Sequence, residues 1–420
     1  MKIAGIIAEY NPFHTGHAYH IAQTREKCGA DYIVCVISGN FTQRGEPAIY
    51  DKWTRARAAL ENGADIVLEL PFAYATQSAE GFSYGGVSIL NALNCVDFIS
   101  FGTETSNTEV LKQAAQLLTE EPPLFRTALK SARTAGHSFP AARAHALKQC
   151  LIKSDTAIFE QPNNILGIEY LKALLQLKSR IEPVFITRAD GEYSSLKLSR
   201  QFSGARAVRH AIKENNPAFQ QFVPSWDFAQ HIEPVFSDAM FPFLMFRLRS
   251  MSLSDISEIE SVSEGLEYRI YEAAKTAKSY SALIEAIKSK RYTYTRIARI
   301  LLYCMFNITK EKQALLKKEQ LYAHVLGVQQ KSISLLSQLC AASSIPIITK
   351  ASEFPDNNLI NMDILASDIY ALFTKKIAPS KRDFTQKLII ISFLKLFLYQ
   401  EAPQLRLPLL VLQCFECPYT

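Results

Sequence analysis

Two histidines near the beginning of the chain have the residue type and spacing to bind a phosphate group. His14 and His17 flank Thr15 and Gly16 directly after a short apolar segment. Residues three apart in a helix lie on one face, so both imidazoles can point at the same group. An imidazole N–H that donates to a phosphate oxygen offsets the charge that develops in phosphoryl or nucleotidyl transfer. The spacing therefore predicts adenylyl-transfer chemistry.

The segments around the two histidines predict how the chain positions them. Residues 3–8 have the composition of a buried strand, Asn11-Pro12 indicates a break, and a helical pattern begins at Thr15. A strand, a tight turn and a helix N-terminus together form a phosphate site. Gly16 removes a side chain where the backbone must approach a nucleotide.

The sequence gives less support to a metal site, a P-loop, a dinucleotide-binding loop or a hydrolase nucleophile elbow. His14, His17 and His20 could instead bind a metal ion or simply stabilise the start of a helix. A metal site of that kind usually has a further ligand pattern such as HExxH, which is absent. The GxxxxGKS/T and GxGxxG loops and the GxSxG elbow are also absent. We therefore predict no resident metal.

Two further segments that follow predicted strands can complete a nucleotide site. The polar loop 38–47 carries Gly39 and Arg44 and is followed by Lys52, and these residues can hold triphosphate oxygens or a second substrate. Gly102 ends another predicted strand and would let the backbone pass close to a base or ribose. A plain strand-to-loop turn explains Gly102 equally well.

Polar residues near the starts of two later helices could either contact a nucleotide or have an ordinary structural role. Asn163 or Asn164 can cap the helix that follows, and either amide can contact adenine or ribose. Arg188 ends the fifth predicted strand, and Ser203 is a predicted N-cap for a helix that carries Arg209. Such a helix start binds phosphate, although a surface helix with ordinary arginines has the same pattern.

Alternating segments through about residue 215 predict the fold that brings these residues together. The predicted strands are residues 3–8, 32–38, 65–70, 97–102 and 183–188, and the predicted helices are residues 16–27, 52–62, 82–93 and 164–178. Strands that alternate with helices indicate an α/β fold with a doubly wound parallel sheet. Ligands of such folds bind at the carboxyl ends of the strands, where the candidate residues lie.

The remainder of the chain predicts a second domain. Residues of about 105–152 have helical patterns and suggest an insertion, whereas residues 189–202 suggest a loop. After Pro224 strand signals disappear, and helical patterns follow at 266–278, 280–289 and 297–316. We therefore predict a catalytic domain over 1–225 and a mostly α-helical C-terminal domain over 226–420.

Composition predicts a cytoplasmic protein without a membrane segment. Of the 420 residues, 48% are hydrophobic and 20% are charged, as in globular proteins. The eight cysteines lie mostly in apolar runs, which predicts reduced thiols, and the Cys414–Cys417 pair alone is a weak zinc or redox signal. No signal peptide is visible, and the most apolar stretch, 388–399, is shorter than the roughly 20 residues of a membrane helix.

Positive charge is concentrated in one window of the C-terminal half. The chain has a net charge of +6, and residues 271–320 contain eleven Lys and Arg against four Glu. Such a local excess predicts a polyanionic partner. Within the window, basic residues alternate with tyrosines at Lys288, Lys290, Arg291, Tyr292, Tyr294 and Arg296. Cations for phosphates and aromatics for unstacked bases predict binding to a folded RNA, while core packing is the alternative for the tyrosines.

These motifs together resemble a known family. HTGH after the first strand, with Ser203, Val208 and Arg209 at a later helix, resembles the HxGH nucleotidylyltransferase superfamily. The stretches AEYNPFHTGH, SGNFTQRGEP, LELPFAYA, PNNILGIEY and KRYTYTRIARILL are similar to the bacterial tRNA(Met) cytidine acetate ligase family, from residue 1 to beyond residue 300. The superfamily's last motif often has the sequence ISSTxIR. Here it is SGARAVR, in which Arg209 matches and the hydroxyls do not.

The resemblance implies a two-step reaction with ATP, expected to carry Mg²⁺, and acetate. His14 and His17 would be the catalytic residues that form acetyl-adenylate, and the acetyl group would pass to N4 of the wobble cytidine of elongator tRNA(Met). By resemblance the ATP site consists of Ile7, Ala8, Glu9, Tyr10, Asn11, Pro12, Phe13, His14, Thr15, Gly16, His17, Ala18, Tyr19, His20, Gly102, Asn163 or Asn164, Arg188 and Arg209.

Two other functions are compatible with parts of the sequence. A small-molecule adenylyltransferase of cofactor biosynthesis explains the HxGH element but leaves the basic window without a role. A non-catalytic RNA-binding protein with a vestigial nucleotide fold explains the basic window but not the histidines. Binding of ATP and the identity of the acceptor distinguish the three hypotheses.

Overall fold

The computed structural model describes residues 1–151, 156–187, 203–224 and 226–392. Its centre is one eight-stranded sheet. The strands are β1 (Ile3–Ala8), β2 (Tyr32–Ser38), β3 (Ile66–Leu70), β4 (Phe98–Thr103), β5 (Glu182–Thr187), β6 (Ala323–Gln329), β7 (Ile347–Ile348) and β8 (Ile389–Ile391). They are arranged in the order β5-β4-β1-β2-β3-β6-β7, and β8 also pairs with β6.

Helices connect and cover these strands. In the first half of the chain they are α1 (Thr15–Cys28), α2 (Lys52–Glu61), α3 (Phe72–Ala75), α4 (Ala79–Ala92), α5 (Thr108–Glu120), α6 (Pro123–Thr134), α7 (Phe139–Cys150), α8 (Pro162–Gln176) and α9 (Ala205–Lys213). The second half contains α10 (Trp226–Ala229), α11 (Ser237–Ser250), α12 (Leu253–Glu258), α13 (Leu266–Thr276), α14 (Tyr280–Ile287), α15 (Tyr294–Phe306), α16 (Lys310–Leu316), α17 (Ile333–Ala342), α18 (Asn358–Ala371) and α19 (Arg382–Thr385).

The sheet is covered on both faces, as the alternating sequence predicted. Successive side chains of a strand point to opposite faces. On β1, Ile3 and Ile7 accordingly join one hydrophobic cluster and Ala4 and Ile6 join another. Between Ile3 and Ile7, a Cβ on Gly5 would lie 2.6 Å from a methyl group of Leu90 on α4, so the absence of a side chain lets this helix pack against β1. The predicted doubly wound α/β fold is confirmed.

Parallel pairing brings the carboxyl ends of β1, β2, β4 and β5 to one edge of the sheet. Ile3 pairs with Tyr32 on one side of β1, Ala4 pairs with Phe98 on the other, and Phe98 pairs with Glu182. The chain leaves β1 toward β2, whereas β4 lies on the opposite side of β1. The strand order therefore changes direction between β1 and β4, and ligands of open α/β sheets bind in the crevice at that point.

The predicted strands and helices of the first half occur within a few residues of their expected bounds. The segment predicted as a helical insertion forms α5, α6 and α7 in its described part. The single helix predicted over 297–316 is wrong, because α15 ends at Asn307, which adopts a left-handed conformation with φ 50°, before α16 begins. None of the described helices is both long and apolar enough to span a membrane.

Three strands lie beyond residue 225, where the sequence predicted helices alone. β6 is fully buried and pairs antiparallel with β3, so that His324 lies opposite Glu69. One hydrophobic cluster also runs from the sheet into the C-terminal helices and includes Leu70 and Phe373. The region is mostly α-helical as predicted, but it shares a sheet and a core with the first half. The boundary near residue 225 stays a prediction.

The cysteines within the described residues are unbonded thiols. Cys28, Cys35 and Cys304 are buried, and Cys340 is exposed. Burial raises the pKa of the Cys35 thiol to about 12, which makes it an inert core residue. Cys414 and Cys417 lie outside the described residues.

Candidate active site

A cavity of about 230 Å³ lies at the carboxyl ends of β1 and β4. The predicted residues that line it are Ile7, Ala8, Glu9, Tyr10, Asn11, His14, Gly16, His17, Tyr19, His20, Arg44, Gly102, Asn163 and Arg209. Of the other predictions, Pro12, Phe13, Thr15, Ala18, Gly39, Lys52 and Asn164 are not among the lining residues. Arg188 lies outside the described residues. The tertiary structure thus brings together residues that are up to about 200 positions apart in sequence.

His14 and His17 are held in one tautomeric state by the backbone. His14 is the N-cap of α1, and its Nδ1 accepts a hydrogen bond of 3.1 Å from the Gly16 N–H. Nδ1 of His17 accepts from the His14 N–H at 3.2 Å. Because both Nδ1 atoms are acceptors, each neutral imidazole carries its proton on Nε2. The site therefore offers two side-chain N–H donors to an anionic group.

Aromatic packing fixes the orientation of these rings. The His14 and His17 rings stack with centroids 3.7 Å apart. Tyr10 contacts His17 edge-on at 4.8 Å, and Phe13 lies 5.6 Å from the same ring. Phe13 is buried and is not among the residues that line the cavity, and its ring packs beside His17. Its contact with ATP stays a prediction.

Glu9 connects β1 to the polar loop that follows β2. Its Oε1 accepts from the Gln43 N–H at 2.7 Å, and its carbonyl oxygen accepts from the buried guanidinium of Arg55 at 2.6 Å. Arg55 also donates to the carbonyl of Gly39. These bonds hold the turn so that Gln43 and Arg44 line the cavity.

The N-terminus of α9 also lines the cavity. Gly204 is the N-cap, and Gly204, Ala205 and Arg206 line the cavity. The sequence predicted Ser203 as the cap, but the cap residue is Gly204 and makes no side-chain capping bond. Arg209 donates to the carbonyl of Asn11 at 2.6 Å. Unpaired N–H groups of a helix N-terminus and nearby arginines favour a bound phosphate.

Several of the side chains that line the cavity are apolar. Phe101 and Tyr170 line it with ring centroids 5.3 Å apart, and Leu166 and Ile186 lie beside them. Gly102 also lines the cavity. That it lets a base or ribose approach the backbone stays a prediction. A flat apolar base fits here, while the polyanionic end of a nucleotide fits near the histidines and α9.

The two candidate asparagines have different roles in the structure. Asn164 is buried, and its Oδ1 accepts from the Glu104 N–H at 2.9 Å while its Nδ2 donates to Gln161 at 2.7 Å. Asn163 lines the cavity, so it is the asparagine available to a nucleotide. The N-cap of α8 is Gln161, which makes no side-chain capping bond. The predicted capping role is therefore wrong for both asparagines.

Lys52 lies in a buried ionic cluster and not in the cavity. Its ammonium donates to both carboxylate oxygens of Glu69, at 2.8 and 2.7 Å, and to Oδ1 of Asp383 at 2.5 Å. A Cβ on Gly39 would lie 2.6 Å from Glu69 Oε1, so Gly39 makes room for this cluster. The predicted phosphate contacts of Lys52 and Gly39 are wrong, because both face the core behind the loop.

The charges in this cluster depend on one another. Burial disfavours the charged form of Lys52, but Asp383 and Glu69 outweigh it and raise the pKa of the ammonium. Burial likewise opposes ionisation of Glu69, but Lys52 and His324 hold the pKa of its carboxyl below its usual range. Asp363 lies nearby, and burial together with the charge of Glu69 raises the pKa of its carboxyl well above the usual range.

Glu69, His324 and Asp383 form the one group within the described residues that could hold a metal ion. The Lys52 ammonium bonds both carboxylates and supplies the positive charge that an ion would bring. Because β6 and α19 contribute His324 and Asp383, the C-terminal half takes part in the buried cluster that packs behind Gly39. Sequence patterns gave no sign of this cluster, because its members lie up to about 330 residues apart.

The basic segment predicted to bind RNA has both exposed and buried members. Lys288, Lys290 and Arg291 are exposed. Tyr292 is buried, its hydroxyl donates to the Ser263 carbonyl at 3.2 Å, and the Arg296 guanidinium lies 5.1 Å from its ring centre. The prediction that Tyr292 stacks on a base is wrong, since it packs in the core.

The same segment contacts the loop that lines the cavity. The Tyr294 hydroxyl donates to Glu46 at 2.8 Å, and Arg299 donates to the Gln43 carbonyl at 3.2 Å. Gly45 has φ 79°, and a Cβ there would lie 2.3 Å from the Arg299 backbone nitrogen. The turn 42–46 therefore lies directly between the cavity and α15.

Cavity residues that the sequence analysis missed include Gln43, Phe82, Phe101, Leu166, Tyr170, Ile186, Gly204, Ala205 and Arg206. Most lie at the end of a strand or in the first turns of a helix. The rule that ligands bind at the carboxyl ends of parallel strands was the signal that could have identified them.

Comparison with known proteins gives consistent similarities. Residues 1–385 match the family described as HIGH Nucleotidyl Transferase. The tRNA(Met) cytidine acetate ligase of Acetivibrio thermocellus is 40% identical over 415 residues, covering 93% of this chain and 100% of that protein. The protein of the same name from Caldanaerobacter subterraneus subsp. tengcongensis is 40% identical over 407 residues, with coverages of 93% and 100%.

Solved structures have the same architecture. Apo Thermotoga maritima TmcAL is similar with a TM-score of 0.88 and 33% identity, covering 93% of this chain and 100% of that one. The same protein bound with alpha-thio ATP gives a TM-score of 0.86 at the same identity and coverage.

Proposed function

Because this chain belongs to the tRNA(Met) cytidine acetate ligase family, we propose that its cavity activates acetate with ATP and that the acetyl group passes to a cytidine of tRNA(Met). It is an ATP-dependent ligase. The observation that carries the assignment of the site is the pair of Nε2 donors on His14 and His17, which line one cavity with the N-terminus of α9.

In the first step, an acetate oxygen attacks the α-phosphorus of ATP, and the bond from that phosphorus to the bridging oxygen of pyrophosphate breaks. The products are acetyl-adenylate and pyrophosphate. His14 and His17 are positioned to donate to the phosphoryl oxygens, where negative charge increases in the transition state. Arg44, Arg206 and Arg209 would balance the charge of the leaving pyrophosphate.

The donor set of the cavity is compatible with Mg²⁺ carried by ATP. Glu9 is the one carboxylate among the described residues that line it. Magnesium takes few protein ligands when substrate phosphates and waters are available. Glu9 would thus hold the ion together with phosphate oxygens, and the ion would supply charge neutralisation of the triphosphate.

In the second step, the N4 amine of cytidine attacks the acetyl carbonyl. The carbon–oxygen bond to AMP breaks, and the nitrogen loses a proton as the amide N4-acetylcytidine forms. A mixed anhydride hydrolyses in water, so the apolar wall formed by Phe101, Tyr170 and Ile186 would protect it. The wobble cytidine of elongator tRNA(Met) must leave its stack to reach this depth.

The position of the basic segment supports it as the tRNA contact. Tyr294 and Arg299 bond to the turn 42–46, whose residues Gln43 and Arg44 line the cavity. Lys288, Lys290 and Arg291 are exposed close in sequence to this contact. An RNA backbone bound there would lie near the cavity mouth. With Tyr292 in the core, Tyr294 remains the candidate for stacking.

Labelled acetate tests the proposal directly. The protein, ATP and tRNA(Met) transcript should yield tRNA that carries the label on cytidine N4, as identified by mass spectrometry of the digested RNA. Acetate-dependent release of pyrophosphate without any label in the RNA would overturn the second step. The two other functions are not favoured, since relatives at 40% identity over 93% of the chain carry the ligase name.

A further inference from the structure

The Glu104 carboxylate determines which atom of the Asn163 side chain is available to the cavity. Glu104 Oε1 accepts from Asn163 Nδ2 at 2.6 Å and from the Asn163 backbone N–H at 3.1 Å. An ionised carboxylate only accepts hydrogen bonds, so the amide nitrogen of Asn163 must face it. These bonds use the backbone N–H and one of the two N–H groups on Nδ2. Oδ1 then remains as the side-chain acceptor, beside the second N–H of Nδ2.

A reciprocal set of bonds keeps Glu104 itself in place. Its Oε2 accepts from the Asn164 N–H at 2.8 Å, and its own N–H donates to Asn164 Oδ1 at 2.9 Å. The end of β4 and the first turn of α8 are therefore bonded in both directions. A carboxylate at a helix N-terminus is also favoured by the helix dipole. These bonds fix the side-chain conformation of Glu104, and Glu104 in turn fixes the orientation of the Asn163 amide.

The surroundings of Asn163 favour contact with a base. Leu166, Phe101 and Gly102 line this part of the cavity, and the polar groups suited to phosphate lie at α1 and α9. In an apolar site, an acceptor selects a ligand that offers a donor, because a mismatched group loses its hydrogen bond to water without replacement. On the edge of adenine that donor is the exocyclic 6-amino group. Guanine carries an acceptor oxygen at the same position.

We infer that Glu104 is a positioning residue that makes Asn163 the acceptor for the 6-amino group of adenine and thereby selects ATP. The inference rests on the proposed function in that it assumes ATP binds in this cavity. It requires neither acetate nor tRNA, and it can therefore be tested by nucleotide binding alone.

Calorimetry with two nucleotides measures this selectivity. The probes are the α,β-methylene analogues of ATP and of purine riboside triphosphate, which has hydrogen in place of the 6-amino group. The wild type should bind the ATP analogue about 10- to 100-fold more tightly. Glu104→Gln cannot accept all three hydrogen bonds, so Asn163 loses its fixed orientation. The preference should then fall below about 3-fold.

A double-mutant cycle separates positioning from general support of the fold. Asn163→Ala should remove the preference, and adding Glu104→Gln to it should produce no further change in the ratio of affinities. Glu109→Gln is the matched control, because Glu109 is exposed on α5 and pairs with Lys112. Its ratio should equal that of the wild type. Thermal unfolding of each variant checks that the measured protein is folded.

Several outcomes would overturn the inference. One is equal affinity of the wild type for both analogues. Another is a Glu104→Gln variant that weakens both by the same factor, since this indicates structural support only. A third is a further loss of selectivity when Glu104→Gln is added to Asn163→Ala. Failure of the proposed function is distinct, because it shows as selective ATP binding without acetylated tRNA.

Discussion

The imidazole of His17 accepts a hydrogen bond from the backbone N–H of His14, and the two rings stack 3.7 Å apart. The bond that begins α1 also fixes the tautomer of a side chain that lines the cavity. The two residues proposed to bind phosphate are therefore the same two that cap the helix.

Replacement of either histidine should affect chemistry more than stability. We expect His14→Ala or His17→Ala to reduce acetate-dependent pyrophosphate release by about 10²- to 10³-fold, as for loss of one donor to a developing oxyanion. His14→Ala should also cost about 1 kcal/mol of unfolding free energy through the lost N-cap. His145→Ala is the control, because His145 is exposed on α7. Wild-type rates in both variants would contradict the assignment.

Substitutions of Lys52 and of the neighbouring Asp363 should differ in how much they destabilise the protein. Lys52→Met leaves Glu69 and Asp383 without their cation and should cost roughly 3–5 kcal/mol of unfolding free energy. Asp363→Asn should cost less, about 1 kcal/mol, because burial and the charge of Glu69 raise the pKa of Asp363 and so disfavour its charged form. Urea unfolding measures both. Equal losses would show that Asp363 is ionised in the folded protein.

Lowering the pH should decrease the unfolding free energy, because Glu69 becomes protonated and its ion pair with Lys52 is lost. Its pKa is held below the ordinary value of 4.5, so its contribution to stability is complete above that pH and is lost as the pH falls toward the lower, folded value. The difference in unfolding free energy between wild type and Glu69→Gln should therefore shrink below about pH 4.5. Asp363 has a raised pKa, so its contribution to the unfolding free energy increases as the pH falls, opposite to that of Glu69. A difference that grows on acidification would contradict the ion pair.

Charge reversal on the basic segment should separate RNA binding from ATP activation. Lys290→Glu and Arg291→Glu should raise KM for tRNA and lower the slope of log affinity against log salt by about 1 for each lost phosphate contact. Pyrophosphate release that depends on ATP and acetate should stay unchanged. Lys112→Glu on α5 serves as a control of equal charge change. An unchanged salt slope would place the RNA elsewhere.

Gly45 should tolerate no side chain. Gly45→Ala would place a Cβ 2.3 Å from the Arg299 nitrogen at a φ of 79°, and the turn 42–46 must move. Because Gln43 and Arg44 line the cavity, we expect weaker ATP binding together with weaker tRNA binding. Gly136→Ala, at a φ of 90° with nothing near the added Cβ, controls for backbone strain alone. Loss of only one of the two activities would argue against the shared turn.

Local patterns identified much of the fold and part of the site. Apolar runs between helical patterns located β1 to β5, because buried parallel strands are short continuous hydrophobic segments. β6 was missed, since its segment AHVLGVQ begins next to a helical region and pairs with β3 across more than 250 residues. Pairing over such a distance leaves no local periodicity to detect.

The strand–turn–helix at His14 and the loops after the neighbouring strands could be predicted from local patterns, because helix capping and strand–helix alternation depend on neighbouring residues. Which side chains reach the cavity depends on the packing of the folded chain. That packing places Lys52 in a salt bridge with Asp383 and Tyr292 in the core, and it separates the half-buried Asn163, which lines the cavity, from the buried Asn164. Burial and ion pairing depend on residues hundreds of positions away, whose approach is set by the packing of the whole chain.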